Sequence, residues 1–347
     1  MNDYFCVLPF FAYENQQGRS DNMYCCRLKE QTNIEDVRQS IKNKQRSPNC
    51  ETCWRLEDQG LPSERQLHNR ALDFYLDRDL ELIEQDAVTQ GYQPRIVKLT
   101  TSNLCNGTCM TCGSGASTAW AKLEHLPIQY EIMDTTPLDQ IDFSKIVQLS
   151  LLGGEPLLER RNFQILENLI ELKNTSCFVS IVTNGSIELN ARQLQTLSQF
   201  ENLNICVSID GVGPQFEYIR WPLKWPQLLH NLAEFKRIAQ HVSVSCMISN
   251  LNILHYTDMI DFFDQQGIAY LCKQIESPDY FAPANLPADF KQLVVQRNPR
   301  YQSEVTAFLQ LGATDLIQEF WKDVDRQDAL KGIRIDDYLP ELAATRI

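Results

Sequence analysis

Six short β-branched or apolar runs recur along the chain: Arg95–Thr100, Ile146–Leu152, Cys177–Thr183, Leu203–Ile209, Val242–Ile248 and Ile268–Gln274. Between several of them apolar residues return at helical spacing, as in Phe163/Leu166/Ile170, Leu228/Leu232/Phe235 and Tyr256/Ile260/Phe263. Strands that alternate with helices imply parallel pairing and an α/β fold. Rossmann winding is the competing architecture, but none of these runs is followed by G-x-G-x-x-G. The 347 residues suffice for one large core, or a core with a small satellite.

The first run leads into LTTSNLCNGTCMTCGSGAS, Leu99 to Ser117, where Cys105, Cys109 and Cys112 stand at C-x3-C-x2-C spacing. Three thiolates this close, in a loop after an apolar run, are placed to converge on one metal centre. A structural zinc site wants four protein ligands, and a cubane iron–sulfur cluster usually takes four cysteines. The local set stops at three, which leaves one coordination position for something outside the loop. A zinc knuckle with a distant fourth ligand is the alternative.

Further cysteines stand near the start of the chain: Cys6 in FCVLPFFAY, the pair Cys25–Cys26 after a polar turn at Gly18, and Cys50 and Cys53 in CETCW. A C-x2-C knuckle lets both thiolates face one metal at little cost in loop entropy. Cys6, Cys25 or Cys26, Cys50 and Cys53 therefore offer four ligands. A zinc ribbon, or cysteines that are merely buried, would use the same residues. Cys177, Cys206, Cys246 and Cys272 lie inside apolar strand runs and read as core.

LLGGEP (Leu151–Pro156), TNGS (Thr183–Ser186) and SIDG (Ser208–Gly211) follow the C-x3-C-x2-C loop in order. Together these segments resemble the radical S-adenosylmethionine (SAM) enzymes. The position before the third cysteine, aromatic in many members, is Thr111 here. The resemblance implies a partial (β/α)6 TIM barrel, in which reacting groups sit on loops at the C-terminal strand ends; each motif does fall just after a predicted strand. It implies a [4Fe–4S] cluster on Cys105, Cys109 and Cys112, with SAM chelating the fourth iron. Reductive cleavage of SAM would then give a 5′-deoxyadenosyl radical that removes a substrate hydrogen, with electrons from an external donor. Gly153 and Gly154 would let the backbone approach a ligand, Glu155 adds an acceptor and Pro156 stiffens the turn. Ser208 and Asp210 suit a ribose diol, while Thr183, Asn184 and Asn250 point toward the same mouth. Arg220, in YIRWPLKW, is a partner for the SAM carboxylate, for an acidic substrate group or for a surface carboxylate.

The N-terminal segment resembles the twitch domain, the shortened form of the auxiliary-cluster SPASM domain. The matching pieces are C-x-LP, the glycine turn before CC, P-x-CxxCW, and then Glu57, Gly60, Ser63, Arg65 and Asn69. This implies an auxiliary [4Fe–4S] cluster, with Cys25 the preferred member of its pair. Enzymes of this kind commonly modify ribosomally made peptides by crosslinking, epimerisation or excision of a fragment, so a peptide substrate is expected. A small partner protein would recognise its leader. A small-molecule substrate, or a non-catalytic iron–sulfur electron carrier, is the alternative.

The expected organisation is an auxiliary module over 1–68, a linking helix over 69–92, the barrel over 93–278 and a helical extension over 279–347. In the extension, Asp289–Gln296, Ser303–Gln310 and Leu316–Val324 read as helices. A formal charge of −13 argues against a nucleic-acid backbone as partner. The apolar run Phe5–Ala12 is too short for a signal peptide or a membrane span. The twelve cysteines, with no export signal, read as metal ligands in a cytoplasmic protein.

Overall fold

The structure is a computed structural model that describes residues 4–15, 24, 25, 28, 32–58, 60, 63–128, 138, 141–312 and 315–346. Gly18 and Cys26 lie outside these residues.

Seven strands form one sheet in chain order, every neighbouring pair parallel: β1 (Ala12–Glu14), β2 (Ile96–Thr100), β3 (Gln148–Leu152), β4 (Phe178–Thr183), β5 (Asn202–Ser208), β6 (His241–Ile248) and β7 (Ala269–Gln274). The order never reverses, so the sheet lacks the switch point of a doubly wound fold. This is the winding of a (β/α) barrel whose edges, β1 and β7, are not paired to each other. The six expected runs are β2 to β7. Burial alternates along β3, β4 and β5, whereas the edge strand β7 buries none of its residues. Leu149, Leu151, Val179, Ile181, Leu203, Ile205, Val207 and Val244 are fully or almost fully buried in the main core.

The opposite face is half-exposed and polar. The register carries one row across it: Glu14 beside Lys98, Lys98 beside Ser150, Ser150 beside Ser180 and Ser180 beside Asn204. The Lys98 ammonium lies 2.6 Å from the Glu14 carboxylate, and Asn204 Nδ2 donates to Ser180 Oγ over 3.2 Å. Cys206 sits on this half-exposed face, correcting its assignment to the core, whereas Cys177 and Cys246 are buried there as expected.

The seventh strand corrects the expected six. Ala12–Glu14 belongs to the 1–68 segment, yet pairs with β2 and extends the sheet. The same segment shares a second core with the helices that follow: Phe5, Val7, Phe10 and Phe11 pack with Val37, Ile41, Leu72, Ile83 and Ile96. The 69–92 stretch is two helices rather than one, Glu64–Leu76 and Leu80–Gln90. Asp77, at φ +47°, closes the first in the left-handed region, where its backbone N–H caps Asp73 and Phe74. The C-terminal helices Ala288–Arg297, Gln302–Gln310 and Ile317–Lys331 follow the expected stretches, the last running seven residues beyond Val324. Among the described residues no helix is long and apolar enough to cross a membrane.

Candidate active site

The cysteine loop leaves β2 at the C-terminal edge of the sheet and is tied to the chain on several sides. Met110 N donates to Ile219 O and Thr108 N to Trp221 O, each over 2.7 Å. Cys109 and Arg220 therefore face each other between two backbone bonds. Ser117 Oγ donates to Gly107 O, and Trp120 Nε1 donates to Cys109 O over 3.0 Å. A Cβ on Gly107 would stand 3.5 Å from Cys109 Sγ and 3.8 Å from Cys105 Sγ, so this glycine sits between two sulfurs. Burial pushes the Cys105 thiol up to about 11 and Cys112 to about 12, and raises Cys109 as well. Cys109 adds to the rise at both Cys105 and Cys112, and Cys105 adds to it at Cys112. Such thiols carry protons when free and release them to a metal.

The Gly153–Gly154 turn explains how the loop is shaped. Gly154 N donates to Ser102 O and Glu155 N to Leu104 O. A Cβ on Gly154 would stand 2.4 Å from Leu104 O, and one on Gly153, at φ +137°, 2.6 Å from Ser102 O. The close approach these glycines allow is thus to the cysteine loop's own backbone. Glu155 is buried, and its carboxylate accepts from Asn184 N, Thr183 Oγ1 and Leu157 N. Burial outweighs these bonds and raises its pKa. Glu155 therefore links β3 to the turn after β4, and Pro156 starts the descent into the next helix, where its carbonyl accepts from Asn162 Nδ2. Asn184 Nδ2 donates to Asn106 Oδ1, while Asn106 Nδ2 donates to Ser186 Oγ. The TNGS turn and the cysteine loop are thereby joined.

Asp210 is committed within the protein. Its Oδ1 accepts from Met247 N, and its Oδ2 lies 2.6 Å from Arg220 Nη2. Burial opposes the Arg220 charge, but Asp210 and Cys109 more than offset this and raise its pKa. This is a buried pair, not a surface one. Ser208 is half-exposed beside Ser245 across the β5–β6 register. Among the described residues, polar atoms near the strand ends that are buried without a hydrogen-bond partner include Arg220 Nε, Asn250 Oδ1, Asn15 Nδ2 and Gln274 Oε1. Asn15 follows β1 and spends its Oδ1 on Thr100 N, so the amide NH2 is the open end. An orphaned donor, acceptor and guanidinium N–H beside a thiol loop suit a polar ligand.

At the N-terminal site Cys6, Cys25, Cys50 and Cys53 line one pocket with Arg65. Burial raises Cys6 and Cys53 and pushes Cys50 up to about 11, with Cys53 adding to the effect on Cys50. The Glu57–Ser63–Arg65–Asn69 pattern acquires a physical role. Asn69 Nδ2 and Arg65 Nη1 both donate to Phe5 O, and Asn69 Oδ1 accepts from Val7 N, so Cys6 is bracketed on both sides. Glu57 holds Arg65 and accepts from Ser63, and the Arg65 guanidinium lies over the Trp54 ring at 4.9 Å.

Among the described residues no three His, Cys, Asp or Glu side chains close on a single ion. A cubane instead gives each thiolate its own iron, and both cysteine sets suit that chemistry: free thiols, Cys6 and Cys53 buried and Cys25, Cys50, Cys105, Cys109 and Cys112 half-buried.

No family model and no curated protein matches this chain. Among solved structures it is similar to anSMEcpe with bound AdoMet, at 16% identity and a TM-score of 0.45 over 69% of this chain and 67% of that one. It is similar to Streptococcus suis SuiB bound to S-adenosylmethionine, at 14% identity and 0.44 over 81% and 63%. SuiB bound to its precursor peptide SuiA aligns at 14% and 0.44 over 84% and 69%. The chain thus spans about two thirds of the length of these proteins.

The C-terminal extension supplies residues that carry no motif. Gln327 Nε2 donates to Met110 O over 2.8 Å. Lys331 Nζ lies 2.8 Å from Gln327 Oε1 and 3.0 Å from Met110 Sδ, and 4.6 Å over the Trp120 ring. Burial pulls the Lys331 ammonium down to about 7, against the attraction of Cys109. Trp225 packs on Phe216 and Phe262.

Proposed function

We propose that this chain is a radical SAM enzyme. The observation that carries the reading is the cysteine loop itself: three thiols in one loop that holds no fourth cysteine, braced by the GGEP, TNGS and YIRWP segments. Cys105, Cys109 and Cys112 would hold a [4Fe–4S] cluster at the C-terminal edge of the sheet. Arg220, Asn250 and Ser208 supply polar groups at the same mouth and would hold SAM, with Gly153–Pro156, Thr183, Asn184 and Asp210 shaping the frame around them. When bound, the cluster and SAM supply a 5′-deoxyadenosyl radical that abstracts a substrate hydrogen. Cys6, Cys25, Cys50 and Cys53 would hold a second, fully coordinated cluster. A site with no open position favours passing electrons over binding substrate.

A peptide is the proposed substrate, escorted by a small partner protein. The sheet is open between β7 and β1, and its polar row ends at Glu14 on that open side, which supports a substrate too large to be enclosed. The test is anaerobic reconstitution with dithionite and SAM, with 5′-deoxyadenosine expected from the native protein and not from Cys105→Ala. Co-expression with a precursor peptide encoded nearby should change the peptide's mass or fragmentation. An unchanged peptide in cells where SAM is being cleaved favours the small-molecule alternative.

A further inference from the structure

The helix Ile317–Lys331 lies at the far end of the chain, yet it packs on the centre of the cysteine loop. Gln327 donates to the carbonyl of Met110, the residue after Cys109. Its own amide oxygen accepts from Lys331, whose ammonium also touches the Met110 thioether. The Trp120 ring lies below that ammonium, and its indole N–H reaches Cys109 O. The next residue after Gln327, Asp328, accepts from Tyr218 OH and from Ile335 N, which fixes the helix against the segment leading to Arg220. Gln327 and Lys331 are both buried. A buried lysine is costly unless something nearby uses its charge. It touches a thioether, an amide oxygen and an indole face, while Cys109 first, then Asp328 and Asp323, attract its charge.

We propose that Gln327 and Lys331 are positioning residues for the cysteine loop, and that the Lys331 ammonium raises the reduction potential of a cluster held there. The inference rests on the radical SAM reading. Iron–sulfur potentials follow net charge and hydrogen bonding around the cluster, and a cation in a desolvated site acts more strongly than one in water. Lys331 adds a buried cation to the Cys109 side of the loop, where Arg220 is already paired with Asp210. Reduction adds one electron, drawn from dithionite, and the nearby cation stabilises the more negative state.

The test is a redox titration of the reconstituted protein at slightly acid pH, following the reduced cluster by electron paramagnetic resonance. Lys331→Met is expected to lower the reduced-to-oxidised ratio at a fixed potential about tenfold, about 59 mV for a one-electron couple. Lys331→Arg, which keeps the charge, should titrate like the native protein. Gln327→Leu should lose iron to a chelator faster from the Cys105–Cys112 site alone. Iron lost in Lys331→Met and restored in Lys331→Arg would support the positioning role. Identical potentials in native protein and Lys331→Met, with iron intact, would overturn the proposal while leaving the radical SAM reading standing. Full iron retention in Cys105→Ala would overturn both.

Discussion

Arg220 and Asp210 form a buried ion pair, Nη2 2.6 Å from Oδ2, directly opposite Cys109. The pair joins the YIRWP segment to the end of β5, and Asp210 passes the link on to β6 through Met247 N. The carboxylate that the sequence offers to a ribose therefore also anchors the arginine that faces the cysteines.

Removing one member of such a pair leaves a buried charge, which typically costs about 3–5 kcal/mol. Arg220→Met and Asp210→Leu are each expected to lower the urea midpoint of the anaerobic protein substantially. The double variant should cost less than the two singles together. A double-mutant cycle with no coupling would mean that the two side chains stand independently.

Gly154→Ala places a Cβ 2.4 Å from Leu104 O, against backbone that cannot swing away. Overpacking of this kind costs about 1–3 kcal/mol, and here it displaces the loop that carries Cys105. Reduced iron content at the three-cysteine site is the expected outcome. Gly115→Ala is the control, since its Cβ meets nothing within 4 Å. Equal iron in both variants would show that the turn does not shape the loop.

Asn69 is fully buried and touches no sulfur in the described contacts, yet it fixes the backbone on both sides of Cys6. Asn69→Ala should therefore lose the N-terminal cluster, about half the iron if both sites hold cubanes. SAM cleavage should persist. Iron counting with inductively coupled plasma spectrometry, beside a zinc measurement, checks this. Zinc at that site after anaerobic purification would favour a ribbon.

The same module should be acid-sensitive. Burial pushes the Glu57 carboxyl up, but the Arg65 and Ser63 hydrogen bonds outweigh it and hold the group below its ordinary value. A carboxyl lowered on folding contributes stability that is complete above its unfolded pKa, about 4.3 for glutamate. That stability is lost as pH falls through the lowered value. Exchange of the Val7 amide should accelerate in that acid range. Glu57→Gln should exchange faster already at neutral pH, for a loss of about 3 kcal/mol, and show a flatter acid dependence. Identical pH profiles would contradict this account.

Strands β2 to β6 were legible because their residues alternate between a buried and a half-exposed face, and β7, which buries no residue, from its short apolar run between turn signals. β1 was not, because Ala12–Glu14 is three residues long and begins inside the apolar run FCVLPFFAY, where period two cannot be distinguished. The linking segment read as one helix because Asp77 leaves the helical region without a glycine or proline to announce it. The cysteines and the glycine turns were legible as motifs, although the structure gives Gly153, Gly154 and Glu155 work within the loop's frame. Asn15, Gln327 and Lys331 were invisible. Lys331 lies 221 positions from Met110, and only packing brings them together.

The most direct measurement is SAM cleavage by three iron-reconstituted proteins side by side: native, Cys105→Ala, and Cys50→Ala/Cys53→Ala. The native protein and the N-terminal double variant should both form 5′-deoxyadenosine with dithionite, and Cys105→Ala should form none. Intact SAM in a native protein whose first cluster is present and reduced by electron paramagnetic resonance would contradict the central claim.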